Sequence, residues 1–219
     1  MSQADSFIDE VNEAVRRDKL YGTLRRYGWI GVLLVLLIVG GAAWNEYSKA
    51  SQNAKAQALG DTLMTELQKP EAADRLAGLE TVQAEGDLKA LVDLLTAAEL
   101  LGQEDPEAAA EVLRPVAADP ALPAVYGDLA AYKMLLLGDV AFDQTERAQV
   151  LDRLAQPGAP YRNLAMEQKA LDLAAAGDTE AALAAARALL EENGLTQSLF
   201  QRVNQLIVTL GEEPGDANG

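Results

Sequence analysis

Apolar and polar positions divide this chain into two stretches of different character. From Tyr27 to Asn45 there are 19 residues without a charge, centred on the run Trp29 to Val39. As a helix this segment is about 28 Å long, which matches the hydrocarbon core of a bilayer. Trp29 and Trp44 bracket it, with Tyr27 and Tyr47 just beyond, where amphipathic rings sit at headgroup level. The pattern predicts one transmembrane helix over 27–45. Two other readings compete with it. A buried helix of a soluble protein seldom stays charge-free for so long. A cleavable signal peptide could use the small residues Gly41, Ala42 and Ala43, but its leader is normally short and basic, and here 26 charged and polar-rich residues come first.

Within that leader, residues 1–26, Phe7, Ile8, Val11, Ala14 and Val15 fall at helical spacing, which predicts a short amphipathic helix that lies on the lipid surface or meets a partner. After the span, Trp44, Tyr47, Ser51, Ala54, Ala58, Leu59, Leu63 and Leu67 recur at threes and fours up to Pro70, so the membrane helix is expected to continue into solution and stop there. Residues 71–84 read as another helix with Ala73, Leu76, Leu79 and Val82 on one face. The segment 46–86 is thus a pair of juxtamembrane helices.

From 87 to 211 the pattern repeats. Gly102, Gly138, Gly177 and Gly211 each follow an apolar helical segment, at separations of 36, 39 and 34 residues. A glycine stop recurring at that period is the mark of stacked helical hairpins. Pairs seven apart (Ala108 with Pro115, Ala148 with Ala155, Ala181 with Ala188) offer small side chains for close helix crossing. Asp119-Pro120 closes one unit, while Leu122-Pro123 and Ala159-Pro160 open the next helices. The turn and helix start from Ala176 to Leu183 resemble the second helix of a tetratricopeptide unit. The Trp-Leu-Gly-Tyr signature of that repeat is missing, and another helical bundle is the alternative. The fold class expected is therefore all-α: a single N-terminal transmembrane helix followed by a tetratricopeptide-like helical-hairpin array over 87–211. The tail 212–219, rich in Gly, Asp and Pro, is expected to be disordered.

Charge and composition sharpen this picture. The net charge is −16, and it is one-sided: residues 1–26 carry five basic and five acidic side chains, whereas 46–219 carry 13 basic against 29 acidic. Arg16, Arg17, Lys19, Arg25 and Arg26 precede the span and only Lys49 and Lys55 follow closely, so residues 1–26 are expected on the cytoplasmic side and the bulk of the chain across the membrane. For a bacterial inner membrane that is the periplasm. The acidic distal segment repels phosphates, and nucleic acid is not an expected partner. Cys and His are both absent, which removes thiol nucleophiles, disulfides, thiolate metal sites and the usual general base of catalytic triads. No phosphate loop, dinucleotide turn, calcium loop or zinc-protease motif occurs. No catalytic, cofactor-binding or metal residue is assigned, and Glu191-Glu192 and Glu212-Glu213 read as solvated helix ends. Tyr126, Tyr132, Phe142, Tyr161 and Phe200 are the large rings available for a peptide-binding face, although such rings more often lie in a core. No individual protein-binding residue is singled out.

The order of features resembles the YfgM-like ancillary SecYEG translocon subunit family, whose members carry a tetratricopeptide-like periplasmic domain. The matching segments are Phe7 to Glu13, Arg25 to Gly28 before one span, the turn at Ala176-Gly177-Asp178 and the terminal segment Leu199 to Leu206. The resemblance implies a membrane-bound adaptor beside the translocon, with translocon subunits, periplasmic chaperones and exported polypeptides as partners. It carries over no single residue. Residues 144–161 depart from a regular repeat.

Overall fold

Alanine and leucine, among the strongest helix formers, are the commonest residues of the distal segment, and the computed structural model is helical with no strand among the described residues, 3–214. Side chains are described for 29–31 and 33–214, so the leader's apolar stripe and the end of the expected tail lie outside the described residues. The chain divides into two compact units, Met1–Ala58 and Leu59–Gly219. That boundary falls inside the segment read as juxtamembrane.

Helix α1 runs over Gln3–Leu67, and its part up to Ala58 belongs to the first unit. Among the described residues, one helix is long and apolar enough to cross a membrane, and it is this one, near the N-terminus. The described large apolar side chains from Trp29 to Val39 are between 45% and 68% exposed, and none of the most apolar stretch is buried by protein.

The second unit begins with the last turns of α1 and continues through α2 (Ala72–Thr81), α3 (Asp87–Gly102), α4 (Pro106–Ala118), α5 (Ala124–Leu135), α6 (Gln144–Leu154), α7 (Arg162–Ala175), α8 (Thr179–Leu190) and α9 (Gln197–Thr209). Each of α2 to α9 packs on its sequence neighbour, and α3 also meets α5 as α7 meets α9. Four apolar clusters follow one another along the chain. Leu63, Leu79 and Val92 join α1, α2 and α3. Leu94, Ala97, Leu113 and Met134 join α3, α4 and α5. Leu135, Leu151, Leu154 and Ala165 join α5, α6 and α7. Ala170, Ala186, Leu189, Val203 and Ile207 join α7, α8 and α9. Helices α3, α5 and α7 each serve two clusters with different faces. On α5 the neighbours Ala130 and Ala131 point into different clusters, so both positions must be small.

The helix stops expected at Gly138, Gly177 and Gly211 adopt φ of 64°, 81° and 93°, the left-handed region that glycine enters without a Cβ clash. At Gly177 the amides of Gly177 and Asp178 donate to the carbonyls of Ala174 and Leu173, the paired bonds of a Schellman stop. The stop expected at Gly102 lies two residues later. Glu104 takes the left-handed conformation at φ 61°, its amide donating to the Leu101 carbonyl and that of Asp105 to the Leu100 carbonyl, while Gly102 is the last residue of α3. The small-residue pairs are also displaced. Ala148 and Ala188 are exposed, and the side chains buried at the crossings are Ala109 and Ala110 on α4 and Ala182 and Ala186 on α8.

Candidate binding groove

The segment 144–161, irregular in sequence, supplies one wall of a groove in the second unit. Gly138 turns the chain out of α5 into a short 3-10 turn, Gly138–Val140, and Phe142 packs half-buried between the second and third apolar clusters. Asp143 then starts α6 with a capping box: its carboxylate accepts the Glu146 amide at 2.8 Å, and the Glu146 carboxylate accepts the Asp143 amide at 3.3 Å. The C-terminal half of α7 lies across from this helix start and ends in Ala175, Ala176 and Gly177. Because Ala148, Ala175 and Ala176 are too small to fill the space, a groove of about 890 Å³ opens between α6 and α7, floored by Phe142, Leu151 and Leu173. That volume lies within the range of about 300–1,000 Å³ typical of ligand pockets.

Arg147 holds the walls in place. Its guanidinium donates to both Asp172 oxygens, Nε to Oδ2 at 2.7 Å and Nη2 to Oδ1 at 2.8 Å, and Nη1 donates to the Leu135 carbonyl at the end of α5. One side chain thus joins three helices, and its hydrogen bonds to Asp172 raise its pKa further above the ordinary value. Lys169 Nζ on α7 meets Asp152 Oδ1 on α6 at 2.6 Å, a second link between the two walls. Asp139 and Asp143 complete the rim without an ion pair to any described residue. Four carboxylates and two cations line the groove, and both cations are engaged, so the rim is acidic and the floor apolar.

Of the five rings noted from the sequence, Phe142 lines this groove. Tyr132 and Tyr161 stack on each other instead, with centroids 6.3 Å apart and planes 12° from parallel. Burial raises the pKa of both phenols, with the carboxylates of Glu167 and Asp128 adding to the effect at Tyr132 and Tyr161 respectively. Glu167 is buried and receives both Arg202 bonds, at 2.6 and 2.7 Å, while the Arg153 guanidinium bonds to buried Asp128. These pairs tie α7 to α9 and α5 to α6. Tyr161 also lines a smaller recess of about 410 Å³ beside Arg162 and Glu192. Tyr126 and Phe200 are half-buried. Glu192 and Glu212, read as solvated helix ends, are paired with Arg162 and Arg187.

Sequence reading missed Arg147, Asp172, Leu151 and Leu173. Arg147 and Asp172 stand 25 positions apart on different helices, and no local pattern links them. Phe142, Ala148 and the turn at Ala176-Gly177, each noted from the sequence for another reason, lie at or beside the groove, and the Asp-x-x-Glu start of α6 is a further local signal there. The fold and groove define a class: a helical chain with one membrane-length apolar helix and an open, acidic-rimmed, apolar-floored groove. No protein-family model, no curated protein and no solved structure matches it.

Proposed function

We propose that this chain is a membrane-anchored, non-catalytic protein-binding adaptor that works beside the SecYEG translocon of a bacterial inner membrane, with periplasmic chaperones and emerging polypeptides as partners. The observation that carries the reading is the coexistence in one chain of a bilayer-length apolar helix bare of protein contacts and a helical unit with an open groove that has an apolar floor. Exposed apolar surface on that scale is covered by lipid or by partner proteins, because leaving it in water is costly. The succession of clusters shared by α3, α5 and α7 supports a tetratricopeptide-like array of hairpins α3–α4, α5–α6 and α7–α8, with α9 closing the end. In such an array each unit is stabilised chiefly by its neighbours and the surface is free for binding. The charge bias across the span supports a cytoplasmic N-terminus and a periplasmic second unit.

Photo-crosslinkers introduced across residues 87–211 in intact cells test this. Capture of translocon subunits, chaperones or exported chains is the expected result. Capture of cell-division or wall-synthesis proteins instead would replace the adaptor with a scaffold for envelope assemblies.

A further inference from the structure

We propose that the groove between α6 and α7 receives a short cationic and apolar polypeptide segment, with an aliphatic or aromatic side chain on Phe142, Leu151 and Leu173 and an adjacent Lys or Arg reaching Asp139 and Asp143. This rests on the protein-binding reading above and names the chemistry of the partner.

Three features select that occupant. The floor is apolar, and the alanines at 148, 175 and 176 leave room for a side chain the protein does not itself supply. The rim selects sign: Arg147 is clasped to Asp172, with Asp139 also acting on its charge, and Lys169 pairs with Asp152, so four carboxylates face two cations and the groove keeps a negative excess. An anionic ligand is repelled there, and the net charge of −16 extends the same preference to longer range. Asp143 also offsets the positive end of the α6 dipole, so Asp139 carries the larger share of the attraction. Length comes from the wall. From Gln144 to Asp152 α6 rises about 12 Å, which an extended chain covers with about four residues. The cationic residue belongs at the Asp139 end, because the far end is closed by the Lys169–Asp152 pair.

The test uses the full chain in nanodiscs of neutral phosphatidylcholine, with empty nanodiscs as the blank. Fluorescent octapeptides with blocked termini are titrated: one with two Leu followed by two Lys, one with Glu in place of Lys, and one with Ser in place of Leu. The Leu-Lys peptide should bind saturably, and the other two about tenfold or more weakly, as expected when rim attraction becomes repulsion or the apolar contact is lost. Asp139→Asn should weaken the Leu-Lys peptide more than Asp143→Asn, which keeps the cap. Ala148→Trp, at an exposed position of α6, should fill the groove and abolish binding while the helical circular dichroism is unchanged. Equal binding of the Lys and Glu peptides by the wild-type chain overturns the proposal, and this comparison needs no variant to fold. Binding that survives Ala148→Trp overturns it as well. If either happens while crosslinkers elsewhere in 87–211 still capture translocon components, the adaptor stands and this groove is not its site. If no crosslinker captures a protein, the adaptor reading falls too.

Discussion

At the scale of single residues, the end of α3 is the least well-made part of the second unit. Glu104 holds a left-handed conformation that costs a residue with a Cβ about 1 kcal/mol, while Gly102 sits in the helix, where glycine costs about the same relative to alanine. A Cβ at Gly102 would meet nothing within 4 Å. Gly102→Ala combined with Glu104→Gly should therefore stabilise the fold by about 2 kcal/mol, raising Tm by roughly 4–8 °C for a unit of this size. An unchanged or lower Tm in a calorimetric scan would contradict the cap geometry. Glu192 offers a test by pH. Hydrogen bonding to Arg162 holds its carboxyl below the ordinary value of 4.5. A lowered folded-state pKa means that the contribution is fully present above about 4.5 and is lost as pH falls through the lowered value. The Tm advantage of the wild type over Glu192→Gln should accordingly persist from neutral pH to about 5 and shrink toward pH 3. An advantage that grows on acidification would refute the pairing.

At the scale of elements, Leu151 and Leu154 bury the apolar face of α6, and Arg147 adds a polar clasp near its start. Removing that side chain leaves the Leu135 carbonyl without its side-chain donor and the Asp172 carboxylate with only the Gln168 amide, a loss of about 1–2 kcal/mol for partly exposed groups. Arg147→Ala should speed amide hydrogen exchange in α6 and at the end of α5 while leaving α8 and α9 nearly unchanged, because those helices share a different apolar cluster. Arg147→Lys should rescue little, since an ammonium cannot span both Asp172 oxygens and a carbonyl. Uniform acceleration through α9 would mean that the array unfolds as one body and that Arg147 has no local role.

At the scale of the whole molecule, the two compact units differ in where their apolar residues lie. The unit from Leu59 holds its own clusters, from Leu63 with Leu79 through Val203 with Ile207, so it contains what it needs to fold. A chain beginning at residue 59 should be recovered without detergent and give a helical circular dichroism spectrum, whereas the full chain should sediment with membranes and require detergent for release. Aggregation of the truncated chain would show that the division is not an independent fold. On the orientation proposed above, an alkaline phosphatase fusion after Gly211 should be active, and an inactive one would reverse the topology.

What the sequence by itself determined about this protein is what depends on short stretches of chain. The apolar run ending at Asn45, the break at Pro70 and the left-handed stops at Gly138, Gly177 and Gly211 are set by hydropathy or by backbone geometry within about five residues. The capping box at Asp143 and Glu146 is local in the same way. Tertiary structure alone decided which alanines are buried. Helix α8 carries six alanines among twelve residues, and their like side chains do not tell one another apart, so the packing of α7 and α9 selects Ala182 and Ala186. It also decided that the left-handed stop after α3 falls on Glu104, two residues past Gly102. The groove belongs to this second class. Its floor and its Arg147–Asp172 clasp join residues about 25 positions apart, and only the stacking of α6 on α7 brings them together.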